Sequence, residues 1–407
     1  MPVLVVVVCL FVCLVPIHAQ AETGQDISED ITAALVAHGF ENVLVSGEPG
    51  TTMRIYYENR IYRYHLRAMG VVLALVGDEL PAPWTAEMIP MKAGVPVISV
   101  TTSADEYNRF VAGEITEKEF AESLIIDTDP PTPELSKRRN SSFWRFDLSA
   151  GPTFAAELEQ VEDSLRGQLN IVPQVEASFA KGMLATAQLV VPLVDEFETQ
   201  ASGVRPGRVT LDWLHRRGPA VGLLRAGIFN PERYGLSLEA GGWAWGNRVL
   251  LTAGADLTGK LALLEGVWEY SDVNVFTYSL GAEYRFRFLD VAVAGSFGRF
   301  LGEEEGGRFD LKREMGELEI GFFAVKTESE DLAGILIDIP LPLSRYPKPS
   351  TVRFRTVPGL TVEYRGKVSR TGRMPGGGLS VERLYDGLVP TFIRNNVSEW
   401  LDARKPN

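Results

Sequence analysis

The stretch that most constrains the fold of this chain is FTYSLGAEYRFRF, residues 276–288, which alternates between apolar and polar side chains. A β-strand sends successive side chains to opposite faces, so this stretch predicts a strand with one apolar and one polar face. The apolar face carries Phe276, Tyr278, Leu280, Ala282, Tyr284, Phe286 and Phe288. This face must meet either a protein core or lipid.

Other segments alternate over nine or ten residues. RVLLTAGADL (248–257), GELEIGFFA (316–324) and AGILIDIPL (333–341) are examples, and from Phe143 to about Tyr364 we find only strand patterns. Strands of soluble proteins average about five or six residues, whereas a strand that crosses a bilayer at a tilt needs about 9–11. The pattern predicts a mainly β fold, an antiparallel transmembrane β-barrel of about 12 strands.

The polar faces of these segments favour a barrel lumen. They carry Gly, Ser, Thr and isolated charges and little Lys, which suits a confined interior where opposite charges pair. Closure of the sheet also removes every unpaired strand edge, as lipid requires. The alternative is a secreted, soluble β-sandwich that binds glycans.

The N-terminus predicts an export signal over residues 1–21. VLVVVVCLFVCLVPI (3–17) has the length of a signal h-region, and AQA (19–21) offers a cleavage site before Glu22. No Lys or Arg precedes the apolar run, so a short N-terminal anchor is the alternative. Both cysteines lie in this segment, so the mature chain would have no disulfide.

Three further regions follow. Residues 22–125 mix helical and strand periodicity and predict a small α+β module, beginning with the helix SEDITAALVAHG capped by Ser28. Residues 126–142, rich in Pro, Ser and charges, predict a solvated linker. Residues 143–407 form the predicted barrel with a short C-terminal tail. Because the chain lacks a terminal aromatic strand, either the last strand lies near TVEY (361–364) or the tail folds into or under the barrel.

Composition and motifs exclude several classes. A net charge of −13 argues against nucleic-acid binding, and there is no zinc-type Cys/His spacing and no phosphate-binding glycine motif. The four histidines lack a nucleophile partner in the sequence. Glu317 and Glu319 lie about 7 Å apart along one strand face, which is common for wall charges. We therefore predict no enzyme activity, no cofactor and no metal site.

Polar positions on the predicted strand faces form one candidate set. They predict either ion pairs that fill a narrow lumen or a polar conduit or groove for a glycan. The candidate lumen-facing residues are Arg145, Asp147, Glu176, Glu239, Asp256, Glu283, Arg285, Glu317, Glu319 and Asp338.

Two tryptophans form a second candidate. In EAGGWAWGN (239–247), Trp243 and Trp245 continue the face of Glu239 and would line the lumen as a glycan platform. A bulge at Gly241–Gly242 would turn both towards lipid, as part of an aromatic girdle. We favour the girdle.

Four stretches together resemble the YjbH-type exopolysaccharide and capsule biosynthesis proteins of the bacterial outer membrane. They are GFENVLV (39–45), YYENRIYR (56–63), GIFNPERYGLSLEAGG (227–242) and GFFAVKTESEDLAGILIDIPLPLSR (321–345). The resemblance implies a Gram-negative outer membrane, a periplasmic N-terminal module, and partners in an exopolysaccharide export system. It also implies polysaccharide as a ligand and a role that assists biosynthesis or export. Members of the family are typically longer than this chain.

Overall fold

The computed structural model describes residues 18–47, 51–79, 84–159, 164–196, 203–230, 232–264, 267–287, 289–366 and 373–402. These residues form an N-terminal domain, one large β-barrel and a C-terminal tail. We call residues 18–127 the N-terminal domain and residues 373–402 the tail.

The N-terminal domain is a mixed sheet with helices packed against it. Its strands follow the order β1-β2-β3-β5-β6, with β4 beside β3, and only β2 and β3 are parallel to each other. Ile31, Leu35 and Val72 lie fully buried in its core. The elements are α1 (His18–His38), β1 (Glu41–Ser46), β2 (Thr52–Glu58), α2 (His65–Glu79), β3 (Thr85–Lys92), β4 (Val95–Pro96), β5 (Ser99–Ser103), α3 (Ala104–Val111), α4 (Glu117–Ser123) and β6 (Ile125–Asp127).

The first helix is longer than its sequence pattern indicated. It begins at His18, so Ser28 lies inside it and is not an N-cap; the hydroxyl of Thr32 donates to the Ser28 carbonyl at 2.7 Å. The predicted cleavage site before Glu22 falls within this helix, and residues 1–17 lie outside the described part of the chain. Among the described helices, none is both long and apolar enough to cross a membrane.

The stretch predicted as a linker, residues 126–142, runs beside β1. It contributes the end of β6 and a short 3-10 turn, Leu135–Lys137. Arg139 and Val43 exchange two backbone hydrogen bonds, of 3.0 and 2.7 Å. Asn42 donates to the hydroxyl of Ser142 at 2.7 Å. These contacts carry the chain along the N-terminal domain to the first barrel strand.

Within the described residues the barrel wall has thirteen strands, which agrees with the prediction of about 12, and three of them are interrupted. A hairpin of β15 with β16 (Val267–Tyr270) extends beyond the wall. The wall strands are β7–β8 (Arg145–Ala150, Pro152–Glu159), β9–β10 (Ser164–Ile171, Gln174–Ala180), β11 (Met183–Asp195), β12 (Arg205–Arg217), β13 (Ala220–Phe229), β14 (Arg233–Ala244), β15 (Val249–Leu264), β17 (Val275–Arg285), β18 (Val291–Arg299), β19 (Glu305–Met315), β20 (Leu318–Thr327), β21 (Asp331–Pro340) and β22–β23 (Val352–Thr356, Gly359–Arg365).

The wall closes through a parallel pair, which we call the seam. Neighbouring strands are antiparallel all the way round except where β22–β23 meets β7–β8. There Arg353 is paired with Asp147, and Tyr364 with Ala156. An odd number of strands makes the first and last strands run in the same direction. The predicted antiparallel barrel is confirmed, and this parallel pair is its exception.

The seam is tight where both of its strands are interrupted. Gly151 separates β7 from β8, and a Cβ built on it would lie only 2.0 Å from a methyl carbon of Val357, between β22 and β23. The backbone N–H of Val172 donates to the Gly151 carbonyl at 2.9 Å. Glycine is required here because any side chain would collide with Val357.

The apolar face of residues 276–287 points out of the barrel. The exposed fractions of Phe276, Leu280 and Tyr284 are 46%, 60% and 39%, whereas Thr277 and Glu283 are buried inside. Phe288 lies outside the described residues. This face meets no protein core, and a single closed sheet replaces the alternative β-sandwich.

The outward apolar positions form a belt around the wall. On β14, Leu236, Leu238 and Ala240 face outwards, with Tyr234 at one end and the exposed Trp245 just beyond the other. The span from Tyr234 to Ala244, at about 3.3 Å per residue and a tilt of about 40°, is roughly 25 Å tall. That height matches the apolar band of a transmembrane barrel.

Candidate functional site: the barrel lumen

The lumen wall is polar because every second residue of each strand points inwards. On β12, Thr210 and Asp212 are buried inside, while Leu211 and Trp213 are exposed outside. We call the end of the barrel that carries the N-terminal domain the near mouth and the opposite end the far mouth. Three groups of residues then occupy the lumen: the seam charges, the tail and the charges at the near mouth.

The N-terminal domain binds the seam through buried ion pairs. Asp147 accepts from Arg353 at 2.9 Å and from Arg60 of the N-terminal domain at 3.2 Å. Glu41, which is fully buried, accepts from Arg145 at 2.7 Å and also from Arg353. Both seam strands are therefore joined to the N-terminal domain by charge-assisted hydrogen bonds.

Further ion pairs fix the near mouth. Arg63 binds Glu317, in the turn between β19 and β20, with two hydrogen bonds of 2.6 Å. Lys92 donates to Glu176 at 2.9 Å. A two-pronged guanidinium–carboxylate contact fixes orientation as well as distance. The N-terminal domain is thus held against the wall on several sides.

The tail enters the lumen at the far mouth. Gly376 and Asn230, at the end of β13, exchange backbone hydrogen bonds of 3.1 and 2.6 Å. Deeper in the barrel, Arg225 pairs with Asp212 at 2.5 Å and also donates to the Leu379 carbonyl. The structure thereby places the tail along the inner face of β12–β14.

The middle of the tail continues down the same wall. The tail contains α5 (Val381–Leu384), α6 (Pro390–Asn395) and α7 (Glu399–Asp402). Glu239 of β14 accepts from the backbone N–H of Val381 at 2.8 Å. Lys312 of β19 lies 3.9 Å from Glu382, across the lumen. The lumen of this barrel is therefore partly filled by its own C-terminal segment.

The end of the tail is buried in the N-terminal domain. Trp400 is fully buried and meets Phe120 edge-on at a ring distance of 5.7 Å. Arg394 donates to the carbonyls of Ala121 and Leu124, the latter at 2.8 Å. Phe392 belongs to the same hydrophobic core. The sequence offered two alternatives for the C-terminal region, and the structure shows both. The last strand contains TVEY (361–364), and the tail folds into the barrel.

Beside the tail, the lumen keeps two chambers. The lower chamber, of about 770 Å³, lies between the N-terminal domain, the tail and the wall formed by β17–β23, β7 and β10. The upper chamber, of about 560 Å³, lies towards the far mouth. Ser296, Arg308, Ser380 and Glu382 line both chambers. The two chambers are therefore adjacent and together run along the side of the lumen that the tail leaves open.

The ten candidate lumen residues all lie inside the barrel or at its contact with the N-terminal domain. Arg145, Asp147, Glu176 and Glu317 bind the N-terminal domain, and Glu239 binds the tail. Asp256 accepts from Thr277 at 2.9 Å, and Arg285 donates to Glu283 at 2.7 Å. The lower chamber is lined by Asp147, Glu176, Glu283, Arg285, Glu317, Glu319 and Asp338.

The two candidate tryptophans point to opposite sides. Pairing of β14 with β13 and β15 is continuous from Arg233 to Ala244, so the expected bulge is absent. Trp243 is buried inside, edge-on to Tyr385 of the tail at 5.4 Å, where it serves neither as girdle nor as an open platform. Trp245, in a turn with φ 47°, is 73% exposed at the end of the apolar belt.

The residues that sequence reasoning missed belong to the contact between parts of the chain. Glu41 and Arg60 lie in the resembling stretches GFENVLV and YYENRIYR, but their partners in the barrel are 87 or more positions away. A charged residue amid an apolar stretch is the one available signal, because burying it requires a partner. The helical spacing near Trp400 was visible, but the surface it packs against was not.

Protonation of His65, at the near mouth, makes the stability of the fold depend on pH. This histidine stands at the start of α2 on the lower-chamber wall, and burial, with the nearby charges of Lys92, Arg355 and Arg60, lowers the pKa of His65 to about 4. Between about pH 6.5 and 4, His65 therefore binds a proton in the unfolded chain but not in the folded chain. The contribution of His65 to the free energy of unfolding is fully present above about pH 6.5 and is lost as the pH falls towards 4.

We expect His65→Gln to reduce this loss. Wild type should lose about 2 kcal/mol more unfolding free energy than the variant between pH 7.5 and pH 4.5. The measurement is urea unfolding of both proteins in detergent at the two pH values. Equal losses in the two proteins would show that His65 stays uncoupled from folding.

Comparison with known proteins supports the resemblance to the family. Residues 15–210, just under half of the chain, match the model of the YjbH family, described as exopolysaccharide biosynthesis protein YbjH. This confirms the resemblance inferred from the sequence. The match includes GFENVLV and YYENRIYR, while the two later stretches lie beyond it. No protein with a curated description matches the chain.

Solved structures similar to this chain include outer membrane proteins. A loop-deletion mutant of OmpT from Vibrio cholerae is 7% identical, with a TM-score of 0.26 over 47% of this chain and 85% of that one. OpdK of Pseudomonas aeruginosa is 11% identical, with a TM-score of 0.28 over 47% and 60%. A triple mutant of the Rhodopseudomonas blastica porin is 11% identical, with a TM-score of 0.24 over 47% and 89%.

Proposed function

We propose, from the match of residues 15–210 to the exopolysaccharide biosynthesis family, that this protein is an outer-membrane barrel that assists exopolysaccharide or capsule production or export. It has no catalytic role of its own. The N-terminal domain faces the periplasm and offers the docking surface for components of the export system.

One observation carries the proposal: a closed wall, apolar outside, surrounds a polar lumen that the tail fills only in part. The apolar belt suits insertion in a bilayer, because each of the thirteen described wall strands has a hydrogen-bonded neighbour on both sides. The two chambers suit a polar ligand such as a glycan. The alternative β-sandwich was expected to bind glycans, and in the barrel we assign this binding to the lumen.

The first experiment is cell fractionation with a heated and an unheated gel. We expect the protein in the outer-membrane fraction, with a faster-migrating folded form before heating. A soluble protein that migrates identically in both samples would overturn the membrane assignment.

Deletion of the gene should reduce cell-surface polysaccharide, and unchanged output would overturn the biosynthetic role.

A pair of neighbouring substitutions sharpens the membrane test. Leu280→Arg places a charge on the lipid side and should cost about 2–4 kcal/mol, so that little folded protein reaches the membrane. Ser279→Arg is the matched control, because Ser279 lines the upper chamber and its neighbour Leu280 is 60% exposed outside. Equal folded amounts of the two variants would contradict a lipid-facing belt.

A further inference from the structure

The hairpin formed by β15 and β16 projects beyond the rim of the wall at the far mouth. Pairing of β15 with β14 ends where Lys260 meets Arg233, and β15 then continues to Leu264 beside β16. The tip of the hairpin, residues 265–266, lies outside the described part of the chain. The hairpin therefore stands above the neighbouring strand β14.

Hydrogen bonds fix the base of this hairpin to the wall. The backbone N–H of Leu261 donates to the Glu232 carbonyl at 2.9 Å, and that of Ser271 donates to the Lys260 carbonyl at 3.0 Å. The hydroxyl of Tyr234 donates to the Ser271 carbonyl at 2.7 Å. Because both of its sides are held at the base, the hairpin keeps the orientation of the wall below it.

One face of the hairpin continues the apolar belt. Pairing along β15 has no break, so Leu261 and Leu263 point outwards, as the exposed Leu257 does below them. In the register of the hairpin, Tyr270 is directly opposite Leu261. Trp268 is directly opposite Leu263, and opposed residues point to the same face. The outer face therefore carries two leucines and two aromatic rings.

Both rings of this outer face are open to the surroundings. The exposed fractions of Tyr270 and Trp268 are 79% and 48%, whereas Ala262, on the other face, is buried. A two-stranded hairpin is at best marginally stable in water, and an exposed apolar patch indicates an interaction surface. Among the described residues of the outer face, none is Lys or Arg.

The height of the two rings indicates what surrounds them. Tyr234 ends the belt and is paired with Gly259. At the same rise and tilt as in the belt, Tyr270 lies about 5 Å and Trp268 about 10 Å above that level. The headgroups of an ordinary bilayer add roughly 5–8 Å on each side of the hydrocarbon core. Trp268 therefore stands above the headgroups of ordinary phospholipids.

We propose that the outer face of the hairpin binds the saccharide headgroup of a glycolipid in the membrane leaflet at the far mouth. Acyl chains cover the belt below Tyr234, and the same lipids continue upwards as headgroups. Only a headgroup larger than that of a phospholipid reaches Trp268. The inference goes beyond the proposed function and rests only on its membrane assignment.

The chemistry of the face fits a sugar better than a phosphate. A phosphate group is bound by Arg or Lys, which this face lacks. Tyr and Trp combine a large apolar ring with one polar group, so they can pack against the C–H face of a sugar ring and also bind its hydroxyl groups. The two rings lie two residues apart on one strand, so both can contact one headgroup.

The test is native mass spectrometry of the purified full-length protein in detergent, titrated with two lipids. The first is lipopolysaccharide that carries its core sugars, and the second is lipid A, which has the same acyl chains and phosphates without the core. We expect lipopolysaccharide to bind about tenfold more tightly or better. The double variant Trp268→Ala, Tyr270→Ala should bind lipopolysaccharide roughly tenfold more weakly, because aromatic anchors contribute most of the binding energy of such a surface.

Two control variants separate this face from the rest of the barrel. Glu269→Gln changes the other face of the same hairpin, where Glu269 is paired with Ala262. Trp245→Ala removes an exposed ring at the near-mouth end of the belt. Both controls should bind lipopolysaccharide as wild type does, and the heated and unheated gel shows that every variant forms the folded barrel.

Several outcomes would overturn the inference. Equal affinity of wild type for the two lipids, or unchanged affinity in the double variant, would each do so. Free core oligosaccharide that binds as tightly as lipopolysaccharide would assign the face to a soluble glycan. A wild-type dimer that becomes a monomer in the double variant, with no preference between the lipids, would assign the face to a second copy of the chain.

The outcome for the hairpin is distinct from the outcome for the proposed function. If the protein fractionates with the outer membrane and deletion of its gene reduces polysaccharide, but it binds both lipids equally, only the hairpin inference fails. If it prefers lipopolysaccharide but deletion leaves polysaccharide output unchanged, the hairpin surface stands and the biosynthetic role fails.

Discussion

Trp400→Ala should release the end of the tail and lower the free energy of unfolding of the N-terminal domain by about 3–5 kcal/mol. Trp400 is fully buried, and its ring meets Phe120 of the N-terminal domain, so its removal leaves a large cavity in a shared core. Urea unfolding and limited proteolysis of the tail are the measurements.

The matched control is the same substitution at an exposed tryptophan. Trp245→Ala, at a position that is 73% exposed, should change the unfolding free energy of this domain by less than about 0.5 kcal/mol. If both variants lose the same stability, or if the tail of Trp400→Ala resists protease as in wild type, the tail is not anchored in this way.

Release of the tail should also change what the barrel conducts. In planar bilayers we expect wild type to pass little current, because the tail occupies one side of the lumen and the N-terminal domain covers the near mouth. Trp400→Ala should show larger or more frequent openings. A variant that loses stability without any change in current would assign closure to the N-terminal domain alone.

Glu41→Ala should be the second large effect, about 3–5 kcal/mol, because it takes the carboxylate from Arg145 and one of the two carboxylates from the buried Arg353, which keeps only Asp147. Since Arg353 lies on the seam, we expect the unheated, folded band on gels to disappear at a lower temperature than in wild type. The measurement is band intensity against preheating temperature.

An exposed ion pair provides the comparison. Arg54 pairs with Glu87 at 2.9 Å, but its side chain is 53% exposed, so Arg54→Ala should cost at most about 1 kcal/mol. Combining Glu41→Ala with Arg353→Ala should cost less than the sum of the two single changes, because they remove one shared contact. Additive losses would show that the N-terminal domain does not stabilise the seam.

The barrel could be predicted because its cause is local. Alternation at residues 276–287 follows from strand geometry alone, and lipid on one side with a lumen on the other preserves it over a whole strand. The inward placement of Glu239, Asp256 and Glu283 followed from the same period. Bulge positions are less determined: Gly241–Gly242 permitted a bulge, yet the continuous pairing of β14 placed Trp243 inside.

The contacts between distant parts of the chain could not be predicted. Arg60 and Asp147 are 87 positions apart, and Arg353 meets Glu41 across 312 positions. Nothing in the local period of either segment specifies such a partner. The parallel closure could not be predicted for a related reason: β7–β8 and β22–β23 are broken strands that pair in parallel, and a parallel pair leaves no hairpin in the sequence.

The odd number of strands determines the order in which this molecule can be taken apart. The chain enters the wall at the near mouth and leaves it at the far mouth, so it can rejoin the N-terminal domain only by passing back through the interior. The strand that completes the wall, β23, comes directly before the segment that fills it. A pull on the C-terminus would therefore first free Trp400, then empty the barrel, and only afterwards peel the last strand from the first.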